Sequence, residues 1–415
     1  MLFSIAIIVI ILGVTYMHYL QGAFTSAISM ACALAATLVA FGYYENAIDA
    51  MTQNGFADFA GGASLIMIFT VTYAVLRVIA DIAVPGNIGL QLYVEKVGSV
   101  VFGFIAAMLG AGVFATAVQM MPVGAAVAGY SPYEIKSDRD VAVPNTLTGR
   151  QRGTDTKITD ELAADTFEGP PGGMLLPADH IVLNIVKTAS AGSFSGSQSF
   201  SAIHPELTTE AFAARLGPDR SGKHVILNTA KQPDNVSVDG IFTIKGTPKA
   251  LDTEVPEIRD KRANLAFKPS NSDTLVVIRA VFKDAGTDKD NILRLPPAAA
   301  RLVIDDKTYY PIGSMETRSV IGLSRLDDFM FVPVLTDTNA IDLVYSLPKS
   351  AADKFEKKAG DDSTRFIEFK LFGRVDLGSK TIDANYAGPS KNVKVLRKKT
   401  TPLMKEVQPE QRPVG

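Results

Sequence analysis

The first third of this 415-residue chain carries almost no charge, and this constrains its fold more than any other feature. Up to residue 124 only two side chains are basic and five are acidic. Four apolar runs fill this region, at residues 2–16, 24–41, 63–79 and 97–118. They have or approach the ~20 residues that a helix needs to cross a bilayer, and together they leave almost no polar face for water. The sequence therefore predicts four transmembrane helices.

Glycines in the fourth run invite a nucleotide-binding interpretation, which the surrounding residues disfavour. Gly98 and Gly103 have the spacing of a phosphate-binding loop, but Phe104 stands where that motif needs a lysine. Gly110 and Gly112 begin a nominal dinucleotide-binding pattern, but they lie inside the apolar run rather than between a strand and a helix. We therefore interpret this run as a membrane helix.

Small residues follow one face of the predicted fourth span. Side chains in lipid gain little by leaving their surroundings, so membrane helices associate where small residues let two backbones approach closely. The packing positions that we assign are Gly98, Gly103, Ala107, Gly110 and Ala111. Their partner is either another helix of this chain or a second copy, so the fourth span is a candidate surface for a homo-oligomer.

The few charges of the region indicate its orientation. Arg77 and Lys96, the two cations, both flank the connection between the third and fourth spans. The positive-inside rule places that connection in the cytoplasm, and the rest of the chain then lies outside. Asp81 follows Arg77 by four residues and can pair with it on one helix face. We interpret these three residues as topology anchors. Cys32, the single cysteine, is expected to be a small apolar residue of the second span.

Several short features of residues 1–122 resemble a known family. They are the turn Gln21-Gly22-Ala23-Phe24, a loop without cations after the second span, and Val94-Glu95-Lys96-Val97-Gly98 leading into Gly103-Phe104. In these features the chain is similar to the colicin V production protein family. The resemblance implies a multi-pass bacterial inner-membrane protein that assists toxin or bacteriocin production or secretion and envelope homeostasis. It implies no enzymatic reaction.

Residues 123–222 predict a linker and a small mixed region with short helices. One helix, capped by Asp179, is expected to run through Ser190 with Gly192 as its stop, and another to cover residues 208–216. A Ser/Gly-rich run, 190–201, has Phe194 where a nucleophile elbow needs a serine, so we expect Ser195 and the nearby His204 to lie in a flexible, non-catalytic segment.

Residues 223–390 predict a β-sandwich, and residues 391–415 predict a basic, disordered tail. The expected strands are 224–227, 241–244, 275–282, 301–304, 307–310, 330–335, 341–346 and 366–372, with a polar insert at 350–359. Three segments, 275–281, the hairpin 302–310 and 344–348, resemble immunoglobulin-like extracytoplasmic domains of bacterial envelope proteins. That resemblance covers residues 270–376 and implies binding or scaffolding.

The fold class is therefore a membrane domain of four transmembrane helices followed by a mostly-β, immunoglobulin-like soluble domain with a few short helices. We predict a non-enzymatic protein without catalytic, cofactor-binding or metal-ligating residues, because His180 and His224 lack partners at zinc-ligand spacing. The expected partners are the lipid bilayer and other envelope or secretion proteins; the net charge of −2 does not favour nucleic acid. Two alternatives stay open: a channel or transporter subunit with an extracytoplasmic binding domain, and a membrane-tethered hydrolase.

Overall fold

A computed structural model describes most of the chain. The described residues are 2–53, 59–84, 91–121, 127–132, 157–158, 174–192, 199–216, 236–244, 246–251, 266–267, 273–282, 292–324, 330–333, 339–355, 364–369, 373–378, 380–383 and 385–389. The predicted strand 224–227, with His224, lies outside them, as do Ser195 and the tail.

Four long helices form the N-terminal part: α1 (Leu2–Gln21), α2 (Ala23–Gln53), α3 (Ala60–Ala83) and α4 (Leu92–Gln119). Each is long and apolar enough to cross a membrane. A single residue, Gly22, joins α1 to α2 with a φ of 95°, a conformation that glycine adopts without steric cost. The predicted four apolar helices are thus confirmed, and their length and composition suggest a multi-pass membrane protein.

The helices pack as a bundle in which α4 touches the other three, antiparallel to α1 and α3 and in the same direction as α2. The start of α3 meets the end of α4, since a Cβ on Gly62 would lie 2.3 Å from the carbonyl oxygen of Ala117. Phe3, at the start of α1, shares a core cluster with Ala115 near the end of α4. We call this end of the bundle, where α1 and α3 begin and α2 and α4 end, the domain-side end. Apolar side chains point away from the bundle, among them Leu2, Val9, Leu12, Val71, Val75, Ile82, Val97 and Val101.

The second helix is longer than its apolar run. A loop was predicted from residue 42, but α2 continues to Gln53, which corrects that prediction. Tyr44 explains the extension, because its ring is only 2 % exposed and packs in a cluster with Val186 and Phe200 of the next region. Burial of these rings stabilises the added helical turns, whose sequence is not apolar enough to have indicated a span. Glu45 consequently lies on a helix.

Three short helices follow at the domain-side end: α5 (Ala178–Ala191), α6 (Phe200–Ile203) and α7 (Leu207–Leu216). α5 stops before Gly192 as predicted, but Asp179 is not its cap, because the helix begins at Ala178 directly after Pro177. The helix lies directly against α4. A Cβ on Gly112 would lie 2.3 Å from the carbonyl oxygen of Ala178. In addition, Gln119 donates a buried 2.9 Å hydrogen bond to the carboxylate of Asp179. These contacts attach the region after the bundle to α4.

The C-terminal part is mostly antiparallel β structure. Its strands are β1 (Lys157–Ile158), β2 (Val236–Thr243), β3 (Lys249–Leu251), β4 (Ala266–Phe267), β5 (Thr274–Phe282), β6 (Ile292–Leu295), β7 (Ala300–Ile304), β8 (Lys307–Tyr309), β9 (Gly313–Thr317), β10 (Val320–Leu323), β11 (Met330–Pro333), β12 (Asn339–Leu347), β13 (Arg365–Phe369) and β14 (Gly373–Asp376). An eight-stranded sheet has the order β1-β4-β3-β10-β9-β12-β5-β2, a four-stranded sheet the order β14-β13-β7-β8, and β6 pairs with β11. Only β1–β4 and β3–β10 pair in parallel among these described strands.

Strand β5 shows how the alternating sequence builds this part. Val276, Ile278 and Ala280 enter the main core, whereas Leu275 and Val277 enter a second cluster on the other face. The same main core takes in residues of β7 and β13, so it lies between the eight-stranded and four-stranded sheets. The rings of Phe282 and Phe369 meet there edge to face, with centroids 5.2 Å apart. Both faces of β5 are therefore buried.

One local prediction in the β region is confirmed and one is corrected. β7 and β8 form the predicted antiparallel hairpin around Asp305, whose φ of 55° is tolerated by aspartate in tight turns. The described part of the predicted polar insert is a short helix, α8 (Lys349–Ala352), followed by a 3₁₀ turn, Asp353–Phe355. It is not simply polar, because Ala351, Ala352 and Phe355 are buried in the main core.

Candidate functional site: an ionic junction at the end of the membrane helices

Three charged side chains form a row across the four-stranded sheet. The strand register places Glu368 of β13 directly opposite Arg301 of β7 on one side and Arg374 of β14 on the other. Arg301 donates from Nε to the carboxylate of Glu368, and Nη2 of Arg374 lies 3.5 Å from Oε1 of the same group. The row alternates positive, negative and positive charge, which is the favourable order for cross-strand neighbours.

The row meets charged residues of α2 and α7. Nη2 of Arg374 donates to Oε1 of Glu45 at 3.0 Å, and Nη1 of Arg301 forms an ion pair with Oε2 of Glu210. Thr308 of β8 adds a 3.3 Å hydrogen bond from its hydroxyl to Oε1 of Glu210. The end of a candidate membrane helix is thereby joined to the β sheet by charged groups.

His204 lies at the centre of this arrangement. Its backbone N–H donates to the carbonyl of Phe200 at 2.7 Å and so ends α6, which fixes the position of the ring. Nδ1 lies 2.6 Å from Oε2 of Glu210, and Nε2 lies 2.9 Å from Oε1 of Glu45 and 2.6 Å from the hydroxyl of Tyr44. The ring therefore bridges α2 and α7. We call the set Tyr44, Glu45, His204, Glu210, Arg301, Glu368 and Arg374 the ionic junction.

Aromatic side chains cover the inner part of the junction, whereas Glu45, Glu368 and Arg374 stay partly exposed. The rings of Tyr44 and Phe200 lie 5.6 and 5.4 Å from the ring of His204. The guanidinium groups of Arg301 and Arg374 lie over the ring of Phe366 at 5.8 and 4.8 Å. Ion pairs in such low-dielectric surroundings interact more strongly than on a surface, and removing one partner leaves a costly uncompensated charge.

Burial and neighbouring charges act in opposite directions on the protonation of the junction. Burial by itself would lower the pKa of His204, but the Glu210 carboxylate and the hydrogen bonds to Glu210 and Glu45 outweigh it and raise that pKa above its ordinary value. Burial would raise the pKa of Glu210, but the guanidinium of Arg301 and the His204 ring hold it below its usual range. The pKa of Arg301 is raised, against the effect of burial, by Glu210 and Glu368. The neighbouring charges thus favour the charged form of each of these three groups.

The contacts of His204 have the chemical order of a hydroxyl–imidazole–carboxylate triad, from Tyr44 to Glu210. The Tyr44 side chain, however, is 2 % exposed and packs against Phe41 and Phe200, so its hydroxyl faces protein rather than solvent. Among the residues that the structure describes, no group of three His, Cys, Asp or Glu side chains has a metal-binding arrangement. The junction therefore places charged side chains and an imidazole at hydrogen-bond distance from one another.

The predicted topology anchors lie at the other end of the bundle. Nη2 of Arg77 forms a 3.0 Å ion pair with Asp81, as the spacing indicated, and Nη1 lies 3.5 Å from the carbonyl oxygen of Thr25 at the start of α2. The ammonium group of Lys96 lies 4.2 Å above the ring of Tyr19. The structure brings these residues to one end but does not join them to the junction.

The predicted small-residue positions of α4 face several different neighbours. A Cβ on Gly103 would lie 2.4 Å from Cβ of His18 in α1, and one on Gly98 would lie 3.0 Å from Cβ of Ala23. Ala107 and Ala111 are buried in a cluster with residues of α1, and a Cβ on Gly110 would meet only Phe69, at 3.9 Å. Most of this face therefore contacts helices of the same chain.

No sequence motif indicated the junction as a site. His204 was expected in a flexible segment, but it is buried, with only 7 % exposure, which corrects that expectation. Glu45 is one of the five acids in the first third of the chain, and no role was predicted for it. One local pattern pointed to a special role for Arg301: the alternation of side chains along β7 puts it on the same face as the buried Val303. The charged partners of Arg301, however, lie far away in sequence.

Comparison of the chain with protein-family models, with curated proteins and with solved structures gave no match.

Proposed function

We propose that this protein is a non-enzymatic membrane anchor that holds a β domain in a fixed position against one end of its four membrane helices. The ionic junction is the observation that carries this proposal. Glu45 of α2 is joined to Arg374 and, through His204 and Glu210, to Arg301, so that the anchor and the β domain are connected by charged contacts rather than by a linker alone.

The proposed setting is the bacterial inner membrane, with the β domain extracytoplasmic and immunoglobulin-like. The resemblance of residues 1–122 to the colicin V production protein family supports a role in toxin or bacteriocin secretion or in envelope homeostasis, with other envelope proteins as partners. The position of both described cations of the bundle, Arg77 and Lys96, at the end opposite the β domain supports the orientation.

Thiol labelling from one side of the membrane tests the orientation. Cys32 is buried and would first be replaced by serine. A cysteine at Lys349, exposed on α8, should then react with a membrane-impermeant reagent in intact spheroplasts. The matched control is Tyr93→Cys at the opposite end, where Tyr93 is 84 % exposed; it should react only after lysis. The reverse pattern would place the β domain in the cytoplasm and end the envelope proposal.

Crosslinking tests the scaffolding role. The photoreactive group is placed at Lys349 in the full-length protein, and at Tyr93 as the control position. An anchor that presents its β domain to envelope components should give discrete crosslinked products from Lys349. If products arise from Tyr93 alone, the β domain is not the part that meets partners.

A further inference from the structure

The position of His204 between two carboxylates favours the doubly protonated imidazole. In a neutral imidazole one ring nitrogen donates a hydrogen bond and the other can only accept one. A proton on Nδ1 satisfies Glu210, but then the Nε2 lone pair faces the carboxylate of Glu45 at 2.9 Å, which is two acceptors in contact. A proton on Nε2 moves the same conflict to Glu210. Only the doubly protonated ring can donate to both carboxylates.

The charges of the junction lead to the same conclusion. The facing carboxylates are Glu45 from α2, Glu210 from α7 and Glu368 from β13, and the guanidinium groups are Arg301 from β7 and Arg374 from β14. Three negative and two positive charges are neutral together only when His204 carries a proton. Uncompensated charge in a buried site is unfavourable.

Other titratable or polar groups near the ring do not change this balance. Tyr44 contributes a hydroxyl that becomes the donor to Nε2 when the ring is neutral. Glu206 accepts from the backbone N–H of Thr308 at 3.3 Å, and the nearby ammonium groups of Lys187 and Lys307 offset its charge. Tyr310 is buried beside Glu210, and burial raises its pKa well above the usual value, so it stays uncharged.

We propose that His204 is a proton-controlled joint, whose protonated form attaches α2 firmly to the β domain and whose neutral form loosens that attachment. Loss of the proton removes the bond to Glu45, leaves the junction with one excess negative charge, and leaves Glu45 with Arg374 as its remaining partner. Because the Glu45 side chain is 36 % exposed, solvent can exchange protons with the joint. This inference rests on the proposed anchoring function, since it describes how the same site is regulated.

The direction of the pH dependence follows from linkage. The pKa of His204 is raised in the folded protein above the value of about 6.5 in an unfolded chain. Its stabilising contribution is therefore fully present below about pH 6.5 and is lost as the pH rises through the higher folded-state value. The attachment of α2 to the β domain should therefore be strong at acidic pH and weak at alkaline pH.

Distances between two spin labels in full-length protein reconstituted in nanodiscs test the proposal. The labels are placed at Val71, which points away from the bundle on α3, and at Lys349 of the β domain, with Cys32 replaced by serine. The distance distribution should be narrow at about pH 5.5 and should broaden towards about pH 9. His204→Gln should give one width at every pH, whereas the control His180→Gln, at a histidine of α5 away from the junction, should behave as wild type.

A second variant keeps the proposal testable if His204→Gln fails to fold. Glu45→Gln removes one carboxylate, so a neutral His204 then leaves the junction balanced, and the midpoint of broadening should move to lower pH. A width in the wild-type protein that does not change with pH, or a pH dependence that survives His204→Gln, would overturn the joint. These distances do not depend on which side the β domain faces, so failure of the orientation test and failure of the joint are distinguishable.

Discussion

Arg374 and Glu45 are 329 positions apart in the chain, yet Nη2 of the arginine donates to Oε1 of the glutamate at 3.0 Å. The contact joins β14 to the last turns of α2. It uses a carboxylate that His204 also contacts, so one oxygen of Glu45 serves both the sheet and the short helices. These contacts of Glu45 therefore help to fix the position of the β domain relative to the bundle.

Removing Arg374 should weaken the contact between β14 and α2 and lower the stability of the protein. Arg374→Ala leaves Glu45 and Glu368 without a shared partner, and because the Arg374 side chain is 23 % exposed the loss should be moderate, about 1–3 kcal/mol. Thermal unfolding in detergent, monitored by circular dichroism, measures it. Arg318→Ala, at an exposed arginine of the same β part, is the control and should change little. Equal losses in the two variants would contradict a special role of Arg374.

A double-mutant cycle separates the contact from the cost of truncation. Glu45→Ala and Arg374→Ala should be less than additive, because each removes the same interaction. The coupling energy between them should be about 0.5–3 kcal/mol. Additive effects would mean that the two side chains do not stabilise each other in solution.

Gly112 should tolerate no side chain. Gly112→Ala places a Cβ 2.3 Å from the carbonyl oxygen of Ala178, a backbone atom that can yield only if α5 moves away from α4. We expect a loss of about 1–3 kcal/mol, typical of overpacking. Gly13→Ala in α1 meets nothing within 4 Å and is the control. If both variants unfold at the same temperature, α5 does not pack on α4 as described.

The small face of α4 should also be sensitive to size. Gly103→Leu would drive a side chain into His18 of α1, and Ala107→Leu would enlarge a residue that is 3 % exposed. Both should reduce the yield of assembled protein in detergent, whereas Phe104→Leu should be mild because Phe104 is 39 % exposed on the outer face. Size-exclusion chromatography compares the three, and equal behaviour would refute a packing role for this face.

A second buried ion pair, inside the β part, should be sensitive to its acid. Asp342 accepts from Nε and Nη2 of Arg279 at 2.7 and 2.8 Å and from the hydroxyl of Tyr386 at 2.6 Å. Asp342→Ala leaves the guanidinium without its carboxylate and should cost about 3–5 kcal/mol. Tyr386→Phe removes one hydrogen bond and should cost about 0.5–1.5 kcal/mol. Chemical unfolding gives both values, and a smaller loss for Asp342→Ala than for Tyr386→Phe would be inconsistent with this geometry.

The sequence by itself determined the parts whose signals are local. Scarcity of charge over the first third is enough to indicate four apolar helices, because a membrane-spanning helix satisfies its own backbone hydrogen bonds. Alternation of apolar residues along 275–282 and the turn at Asp305 were likewise sufficient for β5 and for the β7–β8 hairpin, since strand period and turn geometry depend on neighbouring residues.

Tertiary structure alone decided where α2 ends and which charges meet. α2 extends beyond its apolar run because Tyr44 is buried among residues of α5 and α6. No pattern in the sequence near Tyr44 indicates this burial. Likewise His204 carries no local signal for its role, because its carboxylate partner on α2 lies 159 positions away. Periodicity shows which face of an element is buried, but pairing of charges across 150 or more residues depends on how the elements pack.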